Sequence, residues 1–168
     1  MKNYYEIIEE NKVKSNLIVV LFIAFISIST YLISFALGSD SSSVFLAVLV
    51  SSFMSIGSFY YSDKIVLSMS GARPATKKEF FNFYTVTENL STVANVPMPK
   101  LYVIDDTAMN AFATGRDPDH AVVCATTGLL SRLTRSELEG VIAHELSHVK
   151  NYDIRLMGMV TVLVGTIT

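Results

Sequence analysis

The chain has 168 residues, 51% of them apolar and only 17% charged, with a formal net charge of −2. Ten Phe and eight Tyr exclude a disordered chain, which would be charge-rich and aromatic-poor, and a single Cys excludes a disulfide framework. The acid–base balance supplies no basic field, so no nucleic-acid partner is expected.

The charge deficit lies near the N-terminus. After a flank (1–16) carrying Lys2, Lys12 and Lys14, a run of 21 residues from Leu17 to Leu37 has no charged side chain. About 20 apolar residues in a helix cross roughly 30 Å of hydrocarbon, so 17–37 reads as a transmembrane helix. A signal peptide is the competing reading, but its apolar core would be only about 7–15 residues. A loop (38–43) leads to a second uncharged run, and 44–61 reads as a second transmembrane helix. Ala47, Ser51, Ser55 and Ser58 recur at helical spacing along it, a stripe small enough for another helix to approach closely. Lysines flank the hairpin on both outer sides and are missing from its loop, which places both ends in the cytoplasm.

From 62 to 155 the composition is that of a water-soluble domain. Thr76-Lys77-Lys78-Glu79 has the form of a capping box opening a helix that Pro97 and Pro99 terminate. Leu101 to Ile104, Ala111 to Thr114 and His120 to Thr126 read as strands, the last closed by Gly128. Thr134-Arg135-Ser136-Glu137 is a second capping box, opening a second helix.

That helix contains His144-Glu145-Leu146-Ser147-His148. At roughly 100° per residue, His148 lies about 40° and Glu145 about 100° from His144, so the three share one arc. Two imidazoles one turn apart can both ligate Zn²⁺, and a Glu beside them can take a proton from water. Leu138, Ile142, Leu146 and Val149 fall on the adjoining arc, about 120–200° round, where they can dock the helix on a core. On the same wheel Asp153 lies at about 180°, away from the His pair, which suggests a supporting or structural role, while Asn151 and Arg155 share the His face. His120 reads as a surface residue and Cys124 as a small buried hydrophobe. A catalytic zinc normally has a third protein ligand. The metzincin continuation fails, with Asn151 and Ile154 at its Gly and third-His positions, and Glu145 is the last Glu of the chain. The final 13 residues, 156–168, are uncharged and read as the start of a third membrane helix.

The sequence resembles the HtpX-type membrane zinc metalloproteases over essentially all 168 residues. The likeness is carried by the hairpin followed by Met69-Ser70-Gly71-Ala72-Arg73, by Asn110-Ala111-Phe112-Ala113-Thr114-Gly115 with Ala125 to Leu130, and by Leu138 to Ala143 leading into the His-Glu pair. It implies an α+β membrane protein: an N-terminal transmembrane hairpin, then a cytoplasmic zincin-like domain (helix, small sheet, H-E-x-x-H helix), truncated in a third membrane helix. It implies one Zn²⁺ per site held by His144 and His148, Glu145 as general base, and a third ligand, a Glu, beyond residue 168. The implied activity is endoproteolysis of misfolded or damaged membrane proteins under stress, at the cytoplasmic face of a multi-pass plasma-membrane protein. A strand at Asn110, Ala111, Phe112 and Ala113, or at 122–126, is expected to pair with extended substrate. The rival expectation is a catalytically incomplete membrane fragment or interaction subunit lacking the third ligand. No oligomeric state follows from the sequence.

Overall fold

The computed structural model describes residues 4–154, so the expected third membrane helix at 156–168 lies outside the described residues. Two long helices, α1 (Tyr4–Ala36) and α2 (Ser41–Tyr60), pack as a hairpin. The turn between them is shorter than 38–43, because the Asp40 side chain accepts the amides of Ser42 and Ser43 and starts α2 early. The small stripe of α2 lies on its less exposed side, with Ser55 buried, and Ser27 and Ser52 join the helices through their hydroxyls at 3.0 Å. The outer faces expose large apolar groups, among them Phe25 at 66% and Phe35 at 70%. Both helices are long and apolar enough to cross a membrane. Almost none of either apolar window is buried within the protein, which is unlike the core helix of a soluble domain.

The helix of the first span does not begin at Leu17. It runs unbroken from Tyr4, so most of the flank continues the same rod, supported by the Lys14–Glu10 ion pair at 2.8 Å. After α2 a break at Tyr61 leads to α3 (Ser62–Met69), which buries Val66 and Leu67.

The remaining elements are β1 (Arg73–Pro74), α4 (Phe81–Ala94), β2 (Lys100–Ile104), β3 (Ala111–Thr114), β4 (Val122–Thr126), α5 (Thr127–Arg132) and α6 (Arg135–Asn151). The strands form one sheet in the order β1-β2-β4-β3, with β2 and β4 parallel and the other pairs antiparallel. β4 is buried along its whole length; Val123 and Ala125 join Phe83, Val86, Leu138, Ile142, Leu146 and Val149 in the core beneath α4 and α6. The four apolar residues that the wheel assigned to the docking face of α6 are all in that core.

Three local expectations are corrected. Thr76–Glu79 is a turn and not a completed capping box: Glu79 gives its carboxylate to Arg73, at 2.7 and 3.0 Å, and α4 starts only at Phe81. A bidentate charge-assisted pair outcompetes the neutral amide the box would have offered. His120 is not in a strand, because Pro118 and the Asp117 cap wind 118–120 into one 3-10 turn, and β4 begins at Val122. Gly128 does not close the strand but sits inside α5, where a Cβ would come within 2.3 Å of the Thr107 carbonyl oxygen.

Candidate active site

The start of α6 is fixed by a complete capping box: the Thr134 side chain accepts the Glu137 amide, and Glu137 Oε2 accepts the Thr134 amide at 2.8 Å. With its start capped and Leu138, Ile142, Leu146 and Val149 buried, α6 cannot rotate without exposing apolar surface, at about 1.5–3 kcal/mol for each fully buried side chain. That rotational setting turns His144 outward, leaves His148 partly covered and buries Glu145.

The Nε2 atoms of His144 and His148 are 3.2 Å apart, with the rings nearly perpendicular at 83°. Two imidazole nitrogens this close must share either a proton or a cation. The separation matches the roughly 3.3 Å edge of a tetrahedron whose metal–nitrogen bonds are about 2.0 Å. His148 Nδ1 lies 2.8 Å from Asp153 Oδ2. A neutral His148 donating that proton presents its Nε2 lone pair outward, as a metal ligand must. The donor set therefore fits a zinc ion. Among the described residues no third His, Cys, Asp or Glu completes the cluster.

The contact with Asp153 departs from the helical wheel. α6 ends at Asn151, and Tyr152 takes a left-handed conformation (φ 62°), so the chain doubles back and returns Asp153 to the His face. Asn151 closes the helix, and Arg155 lies outside the described residues. Burial pushes the Glu145 carboxyl above the ordinary carboxylate range, while His148, His144 and the backbone amide of Ala113 pull it down.

The amide of Ala113 belongs to β3, the edge strand beside α6. Asn110 gives its carbonyl to the Thr126 amide, so by strand alternation the backbone groups of Ala111 and Ala113 face the free edge. Asn110 is exposed, Ala111 and Phe112 are half-buried and Ala113 is buried. The contact between this strand and Glu145 carried no signal in the sequence, being made by backbone.

His120 is not brought to this site. Its ring binds Asp117 Oδ1 at 2.6 Å and also contacts Arg116, whose guanidinium stacks 4.1 Å from the Tyr60 ring centre at the end of α2. Gly115, which begins this turn, has φ 143°, and a Cβ there would lie 2.5 Å from the His120 carbonyl oxygen. Cys124 is fully buried, and burial pushes its thiol up to about 12, so it is an inert hydrophobe as expected.

Residues 77–168, which include the whole of this site, match peptidase family M48. The chain is similar to the protease HtpX homolog of Dictyoglomus thermophilum, 46% identical over 98% of this chain and 54% of the relative. It is likewise similar to those of Streptococcus thermophilus (39%, 98% of this chain and 55% of the relative) and Streptococcus agalactiae (36%, 98% and 56%). The chain thus spans about half the length of the curated relatives it matches. A His pair at metal-binding separation, a buried Glu beside it and a match across the domain that holds them lead to one assignment: the chain belongs to peptidase family M48, with HtpX-type proteases as its relatives.

Proposed function

We propose that this chain carries the catalytic helix of a zinc-dependent membrane endopeptidase that cleaves misfolded or damaged membrane proteins at the cytoplasmic face. The observation that carries the reading is the 3.2 Å approach of the two Nε2 atoms with Glu145 buried beside them and in contact with β3. His144 and His148 would hold the metal, with a Glu beyond residue 168 as third ligand, in keeping with the family resemblance. Bound zinc would supply Lewis acidity, polarising the scissile carbonyl and making water nucleophilic near neutral pH.

The chain's own residues do the rest. Glu145 accepts a proton from the attacking water and returns it to the departing amine. Asp153 keeps His148 in the tautomer whose Nε2 is free. The outward-facing groups of Ala111 and the carbonyl of Ala113, whose amide is given to Glu145, grip extended substrate by strand addition, flanked by Asn110 and Phe112. The lysines on both outer flanks of the hairpin support a cytoplasmic orientation in the plasma membrane.

The test is Glu145→Gln in the full-length protein, which keeps the shape and the zinc stoichiometry but removes the base. Peptide hydrolysis is expected to fall by about 10²–10⁴-fold. Turnover equal to that of the unaltered protein would end the assignment of Glu145 as base.

A further inference from the structure

The part of α1 that precedes its apolar run contacts the end of the catalytic helix. Asn11 donates from Nδ2 to the backbone carbonyl of Asn151 at 3.1 Å, and Lys12 places its ammonium 4.2 Å from the centre of the Tyr152 ring. Asn151 is the last residue of α6, and Tyr152 is the left-handed residue that ends it. A helix leaves its final carbonyls without intrahelical partners, so a side-chain donor there fixes where the helix stops. A cation over an aromatic face then holds the turn that follows.

This turn decides where Asp153 lies. A non-glycine residue at positive φ is strained and persists only where its surroundings enforce it. Asp153 bonds His148 through Oδ2, and its buried Oδ1 has no hydrogen-bond partner among the described residues. Its position on His148 therefore depends on the backbone turn at Tyr152 more than on bonds of its own. Gly would have permitted such a turn freely; here a Tyr adopts it, with Asn11 and Lys12 of α1 in contact with the two residues that form it.

We propose that Asn11 and Lys12 are positioning residues for the metal centre: by holding Asn151 and Tyr152, they seat Asp153 on His148 and so set the aim of His148 Nε2. The inference rests on the zinc-site reading above, but it concerns a part of the protein remote in sequence from the His-Glu motif. Residue 12 precedes the apolar run at Leu17 by five positions, about 7.5 Å along a helix, so the metal site is coupled to the membrane rod close to where that rod enters lipid.

The experiment uses the full-length protein in detergent, with zinc affinity measured by chelator competition and the visible spectrum of the Co²⁺-substituted protein as a report on ligand geometry. Asn11→Ala and Lys12→Met are compared with Asp153→Asn, His148→Ala and the conservative Lys12→Arg. Loss of a partner that orients a ligating His typically weakens metal binding about 10–100-fold. The expected result is that Asp153→Asn falls in this range, that Asn11→Ala and Lys12→Met each weaken zinc binding at least severalfold and shift the cobalt spectrum the same way, and that Lys12→Arg restores both. Should Asn11→Ala not fold, Lys12→Met alone carries the test, since it removes a charge and keeps the stem.

Unchanged affinity and spectrum in Lys12→Met, with Asp153→Asn impaired, would overturn the role of α1 while leaving the zinc site standing. Unchanged zinc binding in His148→Ala would overturn the zinc-site reading and this proposal with it. A lowered melting temperature with unaltered zinc affinity and spectrum would mean that the contacts serve stability alone, and would also overturn it.

Discussion

Thr126 joins the strand that runs beneath the site to the loop that delivers β3, and its hydroxyl makes the contacts. It accepts the Leu129 amide at 3.3 Å as the cap of α5, accepts the Asn110 amide at 3.1 Å, and donates to the Ala108 carbonyl at 2.6 Å. Thr126→Val keeps the β-branched shape and removes all three. Leu129 is buried, so its amide loses its cap without gaining water, costing about 1–3 kcal/mol; Asn110 and Ala108 are exposed and lose about 0.5–1.5 kcal/mol each. A total near 4 kcal/mol lowers Tm by about 8–16 °C in a chain of this size. Cys124, fully buried two residues away on the same strand, is the only thiol among these 168 residues, so a maleimide dye that fluoresces on reaction reports the opening of this strand on heating. Thr126→Ser should melt close to the unaltered protein, and Thr126→Val well below it. A Val variant melting within about 1 °C of the Ser variant would refute the reasoning, because it would mean that the hydroxyl contacts contribute nothing net.

Gly115→Ala should destabilise the β3–β4 turn and lower the dye-monitored Tm, since the added carbon would meet the His120 carbonyl at 2.5 Å on a backbone of φ 143°; an unchanged Tm would show that the turn can relax freely. Arg73 holds the Glu79 carboxyl below the ordinary carboxylate range, so the folded pKa is depressed and the pair's contribution is fully present above the unfolded pKa. That contribution disappears as pH falls through the lower folded pKa. The Tm difference between the unaltered protein and Glu79→Gln should accordingly be constant from neutral pH down to the ordinary carboxylate range and shrink below it, and a difference that grew on acidification would contradict the assigned sign.

Much of the architecture was legible because it rests on patterns that repeat. The uncharged runs of α1 and α2, the short apolar and β-branched runs of β2 and β4 and the Thr134–Glu137 box each follow from local chemistry. His144, Glu145 and His148 were legible for the same reason, since they sit inside one regular helix. The wheel failed at Asp153 because it assumes the helix continues. Helices commonly stop at a left-handed Gly, and Tyr152 in that conformation gives no such signal. Thr76–Glu79 misled because the box pattern is local, whereas the competing partner, Arg73, is brought close by β1 and β2 pairing. Lys12 read only as a flanking charge, and Asn11 carried no signal, because their partners lie about 140 positions away.

The two walls of the cleft are tied to different rods of the hairpin. The end of α6 hangs from α1 through Asn11 and Lys12, while the turn that follows β3 is held to the end of α2 by Arg116 stacked on Tyr60. A change in the crossing angle of α1 and α2 would therefore reach the His pair and the free edge of β3 through separate contacts. The hairpin is thus a frame whose two arms brace the candidate site separately, and the packing of α1 on α2 bears on the gap between α6 and β3.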